Sequence, residues 1–329
     1  MDVILNEYGT FLGKKGEVFQ IKNKEQTREL AAGEVDQIIV AAPSSVSYDA
    51  VQLAIEKDID IVYLDWRGMP IARVYPCRLG GTTLTRRKQL EAYSSEAGAS
   101  LSKKLVEAKI LNQAFFLKSL GKSRSSRSFS SDADALLQYS KKIGKLKGTV
   151  DDFRQELLGV EGNCASVYFS ALTRILPFET RDKDAADAVN TFLNYGYGIL
   201  YSETEKACIL AGLDPYLGFF HTDRYGKPSM VLDLIEGFRP IIVDRAVVTL
   251  FAQKQTCESC FETGEGGEKR LSKEGRKKII TQVMERLHAE VKFEGKKMQL
   301  QAIMLRQARN VTKSLLEPAF EFKPFVYKW

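Results

Sequence analysis

The sequence predicts an α+β protein, a small N-terminal mainly-β domain followed by a larger all-α catalytic domain. Three observations predict this class. Short β-branched runs punctuated by Gly and Pro fill residues 1–78. From residue 91 onward apolar positions recur at helical spacing instead. Between the two, residues 79–90 are polar and basic, with Arg86, Arg87 and Lys88 in a row, and read as a linker. A chain of 329 residues accommodates one large or two ordinary domains, and 44% hydrophobic residues supply a sizeable core.

Val3, Ile4, Leu5 and Tyr8 open the first region with alternation. Phe11-Leu12 and Val18-Phe19 flank a GKKG turn at residues 13–16 and predict a hairpin. Residues 38–40 form a short apolar strand that ends before Pro43. Residues 47–57 read as one helix, with Val51, Leu53, Ala54 and Ile55 near one side. Residues 59–64 and 71–75 predict a second hairpin around Arg67, Gly68, Met69 and Pro70. No glycine-rich phosphate loop follows any of these strands, which argues against a dinucleotide-binding unit. With no catalytic constellation either, the region reads as a pairing or support domain.

In the second region Leu101, Leu105, Ala108, Leu111, Ala114 and Phe115 trace one stripe of a long amphipathic helix whose other faces are Lys-rich. The Ser/Arg-rich segment 121–132 has few apolar anchors and predicts a mobile loop. Helix resumes over 134–143 and again over 151–172, the latter carrying Glu161 just before Gly162. Small neighbours let another element pack closely, which would turn that carboxylate into a crevice; otherwise it is an ordinary exposed helical glutamate. Residues 183–210 form the next helix, with Val189, Phe192, Leu193, Tyr197 and Leu200 as its core stripe.

Residues 213–250 carry the chemistry. A Gly/Pro-punctuated loop with His221 leads into a helix from about Ser229, where Met230, Leu234 and Phe238 mark the apolar side. Asp233 and Glu236 are three apart on that helix, so they share a face. In a dry pocket two carboxylates cannot both ionise cheaply unless a cation sits between them. A divalent metal is the simplest such cation: oxygens with imidazole suit manganese or zinc, oxygens alone magnesium. The competing reading is a salt-bridge network, with Asp233 paired to Arg239 or Arg245. Only two histidines occur, His221 and His288, which excludes a His-rich zinc cage.

The stretch HTDRYGKPSMVLDLIEGFRP resembles the signature of the CRISPR-associated adaptation endonuclease, the integrase that inserts spacers into CRISPR arrays. GVEGNCASVYFSAL, NTFLNYGYGIL and AGLDPYLGFFH resemble that family's other blocks, in the same order. The resemblance implies that Glu161, His221 and Glu236 hold a catalytic Mg2+ or Mn2+, with Asp233 just behind them or as an alternative ligand. It implies a DNA endonuclease and integrase that joins spacer 3′-hydroxyl ends into the repeat by transesterification. The implied partners are double-stranded DNA, a second copy of the chain, and a small dimeric partner protein of the adaptation system. The alternatives are a transposon-borne integrase of the same fold, disfavoured by the lack of an evident DNA-binding appendage, and a DNA-binding scaffold without catalysis.

The remaining features are less specific. Net charge is +6, with basic clusters at 86–88, 103–104, 141–147 and 269–278 that together fit phosphate contacts along an extended surface, while each cluster alone reads more readily as a solvated helix face. Nothing near 18 consecutive apolar residues occurs, so no membrane span is expected. The start of the chain lacks a secretion signal, and five scattered cysteines suit a reducing cytoplasm. Cys257 and Cys260 form a single CxxC, short of the four ligands that a structural zinc site needs. Gly264 to Gly267 reads as a flexible excursion. Helices follow at 271–290 and 298–316, the last with Arg306, Arg309 and Lys313 on one face, and residues 318–329 form an aromatic tail.

Overall fold

The computed structural model describes residues 1–75, 82–184, 187–221, 225–264 and 268–328. Cys77, the first part of the expected linker, residues 222–224 of the signature stretch, the centre of the glycine excursion and Trp329 lie outside the described residues. A strand-rich N-terminal region precedes a helical one, as the sequence predicts.

The N-terminal region contains β1 (Asp2–Leu5), β2 (Thr10–Lys15), β3 (Val18–Lys22), β4 (Thr27–Ala31), β5 (Gln37–Val40), β6 (Ser44–Val46), α1 (Tyr48–Glu56), β7 (Asp60–Leu64) and β8 (Pro70–Val74). They form two four-stranded sheets, in the orders β1-β5-β7-β8 and β4-β3-β2-β6. The first hairpin turns later than expected. Lys15 already pairs with Val18, and Gly16 takes the positive φ (61°) that a two-residue turn requires, while Gly13 stays in the strand opposite Gln20. The pairings β1–β5 and β5–β7 are parallel, a feature not read from the sequence, and α1 lies on the crossover to β7. Ser47 caps α1 by accepting from Ala50 N–H at 3.2 Å.

Both faces of the first sheet are covered, which is why its strands read as unbroken apolar runs. Ile38, Val40 and Ile61 pack with Val3, Leu12, Phe19 and Leu53. The alternate residues Ile39, Val62 and Leu64 join the core of the helical region. Polar contacts fasten the same junction: Gln37 Nε2 donates to Asp60 at 2.9 Å and to Glu203 at 2.7 Å. Arg73 pairs with Asp60 and donates to the Ser202 carbonyl at 2.6 Å.

The helical region comprises α2 (Thr82–Tyr93), α3 (Glu96–Arg124), α4 (Arg127–Ile143), α5 (Val150–Leu172), α6 (Ala188–Leu210), α7 (Ser229–Ile235), a π-helical turn (Pro240–Asp244), α8 (Arg245–Ala252), α9 (Lys273–His288) and α10 (Leu300–Leu316). Two short hairpins interrupt it, β9 (Phe261–Thr263) with β10 (Lys269–Leu271) and β11 (Glu290–Phe293) with β12 (Lys296–Gln299).

Two expectations need correction. Residues 82–89, read as linker, belong to α2. Its buried stripe is Thr85, Gln89 and Ala92, two of them polar, so the hydrophobic pattern does not reveal the helix. Residues 121–132, read as a mobile loop, are the end of α3 and the start of α4. Ser125 reverses the chain at φ 52°, and Phe129, Ala133 and Leu136 bury one side of α4. The helix expected from residue 183 begins at Ala188, capped by Asp187, which accepts from Asn190 N–H at 2.9 Å.

The β7–β8 turn sits directly on α6. A Cβ at Gly198 would stand 2.3 Å from the Gly68 carbonyl oxygen and 2.8 Å from Met69 N, so only glycine permits this contact. Gly198→Ala is therefore expected to lower unfolding stability by about 1–3 kcal/mol through backbone displacement. Urea denaturation checks this, and an unchanged midpoint contradicts it.

Candidate metal centre

Three helices converge on one largely buried ammonium group. Lys109 of α3 pairs with Glu161 of α5, and its Nζ stands 2.5 Å from Oε2 of Glu236, the residue that ends α7. Arg239 Nε lies 3.2 Å from the other oxygen of Glu236. Two carboxylates and two cations are thus packed together with Glu236 almost wholly buried. Burial alone would push the Glu236 pKa up, but Arg239, Lys109 and His221 together hold it down to about 2. Burial likewise works against the Lys109 charge, yet Glu236 and Glu161 raise its pKa above the ordinary lysine value. Glu236 Oε2 is buried, and the Lys109 ammonium group is its ionic partner.

His221 is positioned from behind. Asp233 is fully buried on α7, and its Oδ2 accepts from Phe219 N–H at 2.6 Å and Phe220 N–H at 2.9 Å. Its Oδ1 accepts from His221 N–H at 2.9 Å and lies 2.7 Å from His221 Nδ1. A carboxylate there requires the proton on Nδ1, which leaves Nε2 as the nitrogen able to ligate. The carbonyls of the same loop are held as well, since Arg154 of α5 donates to Phe219 O at 3.2 Å and to Phe220 O. Arg154 is steadied in turn by Tyr93 of α2 at 2.7 Å. Gln89 of α2 accepts from Asp214 N–H at 2.9 Å and donates to Leu217 O at 2.6 Å. The helix misread as a linker therefore supports the loop that carries the histidine.

The two acids of α7 have separate tasks. Asp233 pairs with neither Arg239 nor Arg245 and spends both oxygens on the loop, whereas Glu236 turns to Lys109 and Arg239. The small neighbours of Glu161 do not bring another element close, because a Cβ at Gly159 or Gly162 would meet nothing within 4 Å.

Glu161 and Glu236 are brought together, and His221 acts electrostatically on Glu236. The three do not form a closed shell: among the described residues the group whose ligand atoms all lie within 4.8 Å of one another is Cys257, Cys260 and Glu274. The donor chemistry nevertheless fits a hard divalent cation. Two carboxylates already converge on positive charge, and an imidazole with its proton fixed on Nδ1 acts electrostatically on one of them. Lys109 is the residue that sequence reasoning missed. It belongs to a helix read only as having Lys-rich outer faces, and its one distinguishing signal is its place in the otherwise largely uncharged run AKILNQAFF.

A basic cleft of about 620 Å³ opens next to the centre, lined by Trp66, Arg67, Arg181, Tyr197, Arg239 and Arg270 among others. Arg239 stacks over Tyr197 at 4.7 Å and Arg270 over Trp66 at 4.3 Å. Behind Tyr197, Asp244 accepts from the Tyr197 hydroxyl at 2.5 Å and the Tyr168 hydroxyl at 2.7 Å. Burial raises the Asp244 pKa to about 6 despite these bonds.

The family described as CRISPR associated protein Cas1 matches residues 3–285. The chain belongs to the Cas1 family. A relative from Archaeoglobus fulgidus, CRISPR-associated endonuclease Cas1 1, is 33% identical over the whole of both chains. One of the same name from Pyrobaculum aerophilum is 36% identical over 76% of this chain and 82% of its own. A solved casposase bound to integration product matches with a TM-score of 0.86 and 26% identity, covering 98% of this chain and 92% of that one. A Cas1 protein from Thermotoga maritima has the same fold, with a TM-score of 0.79 at 22% identity over 96% of this chain and 97% of that one. Cas1-family membership and the casposase likeness support a nuclease and integrase role.

The charge cluster predicts a pH dependence in metal-free protein. Glu236 has a folded pKa of about 2 against an ordinary value of 4.5. Its contribution is therefore complete above pH 4.5 and is lost as pH falls toward 2. Glu236→Gln leaves Lys109 with Glu161 alone and takes from Arg239 its carboxylate partner, and is expected to cost about 3–5 kcal/mol at pH 7. The gap between variant and wild type should close as pH falls from 4.5 toward 2. Denaturation in chelator across that range checks it; a gap independent of pH contradicts it.

Proposed function

We propose that this Cas1-family chain is the catalytic subunit of a CRISPR-adaptation integrase that joins spacer 3′-hydroxyl ends into a repeat array. The convergence of Glu161 and Glu236 on a buried cation, beside a cleft walled by arginines, supports the reading best. Glu161, His221 and Glu236 would hold Mg2+ or Mn2+. When bound, such an ion polarises the phosphoryl oxygen, lowers the pKa of the attacking hydroxyl and stabilises the departing one.

The chain's own residues supply the rest. Arg239, Arg181, Arg67 and Arg270 present guanidinium groups suited to backbone phosphates, and stacking on Tyr197 and Trp66 fixes their planes in advance. Asp233 keeps the His221 proton on Nδ1, and Lys109 with Arg239 keeps Glu236 ionised at neutral pH. In the joining step a 3′-hydroxyl oxygen bonds to phosphorus and the target P–O3′ bond breaks. The proton leaves the attacking hydroxyl and a new 3′-hydroxyl is released. Water in place of the DNA hydroxyl gives cleavage by the same machinery.

Inserting a duplex takes two such steps at fixed spacing, which calls for two sites and so a homodimer. In this reading residues 1–78 serve pairing and support, residues 91–329 hold metal and double-stranded DNA, and a small dimeric adaptation protein sets the distance between sites. The casposase likeness favours a second reading, a transposon-borne integrase with the same ligands and a different target.

A supercoiled plasmid bearing a repeat array, a labelled spacer duplex and Mn2+ test the proposal. Glu161→Ala, His221→Ala and Glu236→Ala should each abolish joining and cleavage while DNA binding persists. Asp233→Asn should cost about 10–100-fold. Undiminished joining in the three ligand variants, or joining in excess chelator, contradicts the proposal. Joining without preference for the repeat favours the transposon reading.

A further inference from the structure

Between α8 and α9 lies a second cluster that the DNA chemistry does not use. A 3₁₀ turn, Glu258–Cys260, closes with Cys260 N–H donating to Cys257 O at 3.0 Å and brings the two Sγ atoms to 3.5 Å. After the β9–β10 hairpin, Ser272 caps α9 by accepting from Gly275 N–H at 3.2 Å. Ser272 also ties α9 to the turn, its N–H donating to Cys260 O at 2.9 Å and its hydroxyl to Ser259 O at 2.5 Å. A Cβ at Gly275 would stand 2.2 Å from Cys260 O, so the two backbones touch. This contact sets Glu274, one residue earlier, beside the thiols, with Oε1 3.9 Å from Cys257 Sγ. Lys278 Nζ stands among the three groups, 2.6 Å from Glu274 Oε1, 3.4 Å from Cys260 Sγ and 3.6 Å from Cys257 Sγ.

The sulfur spacing separates the two fates open to a CxxC pair. Disulfide sulfurs stand about 2.05 Å apart. Two thiolates on a tetrahedral zinc, each at about 2.3 Å, stand about 3.8 Å apart. The observed 3.5 Å is close to the second value. A carboxylate oxygen completes a donor set of two sulfurs and one oxygen, suited to a borderline-soft ion. Three donors already surround one positive charge.

We propose that Cys257, Cys260 and Glu274 hold a zinc ion whose fourth position is open to water. On binding, two thiol protons leave to solvent, two zinc–sulfur bonds form, and Lys278 withdraws; no oxidant takes part. The Lys278 side chain is about a quarter exposed and has room to move. The ion would tie the cysteine turn to the first turn of α9. The hairpin between them carries Lys269 and Arg270, which line the arginine cleft, so zinc would set one of its walls.

The test uses the full chain, stripped with chelator under reductant and titrated with Co2+ and then with Zn2+. One equivalent of Co2+ should give a thiolate charge-transfer band that Zn2+ abolishes. Cys257→Ser, at an exposed position, should keep the wild-type far-UV circular dichroism and remove the band. Glu274→Gln should weaken zinc binding about tenfold or more, and Lys278→Ala should strengthen it. His221→Ala should keep both band and stoichiometry, which separates this site from the carboxylate centre. Absence of the band, a band that survives Cys257→Ser, or unchanged affinity in Glu274→Gln overturns the proposal. So does a Cys257–Cys260 disulfide, seen as a mass loss of two hydrogens, that forms in reduced protein in preference to metal binding.

Discussion

The Lys109 ammonium group, held between Glu161 and Glu236, is the constraint around which the helical region is arranged. Taking such charges out of water costs several kcal/mol per ion, and their attraction repays it only when every charge is met. Here α3, α5 and the end of α7 each contribute one member, and Arg239 balances the count. An apolar cluster of the same volume would serve stability as well or better. The chain's retention of this arrangement is understandable if the carboxylates must stay ionised and close together, as cation chemistry on a phosphodiester requires.

The second constraint is the loop that bears His221. Its three successive N–H groups converge on Asp233 and two of its carbonyls on Arg154, so the segment is gripped from both sides. A loop so fully satisfied has little freedom, and the imidazole inherits that rigidity. The grip extends outward through Tyr93 and Gln89 to α2, the first helix after the strand-rich region. Together with the close contact of Gly198 against Gly68, this makes the N-terminal sheets part of the site's support.

Much of the fold was legible in the sequence because burial there follows simple periods. Residues 38–40 and 59–64 read as strands because both faces of their sheet are covered. Val189, Phe192, Leu193, Tyr197 and Leu200 read as one helical face and are buried together. Legibility failed where polar groups do the packing. The stripe of α2 is built on Thr85 and Gln89, and α4 begins on Arg127 and Ser128 with Phe129 as its first large anchor. For the site, Asp233 and Glu236 were visible as one helical face. That Glu161 meets Glu236 follows from tertiary packing and came only from family resemblance. Lys109 and Glu274 escaped notice for the same reason: each is an ordinary helical charge until a distant element brings its partners.

If positive charge at the Lys109 position is what the two carboxylates are built to receive, removing it should make room for a divalent ion. Mn2+ binding to full-length Lys109→Met and to wild type, without DNA, can be followed through the loss of the free-ion paramagnetic resonance signal. The account predicts tighter binding in the variant, by about tenfold or about 1.4 kcal/mol, and loss of that binding when Glu236→Gln is added. Equal or weaker binding in Lys109→Met, or binding that survives the second substitution, would contradict it.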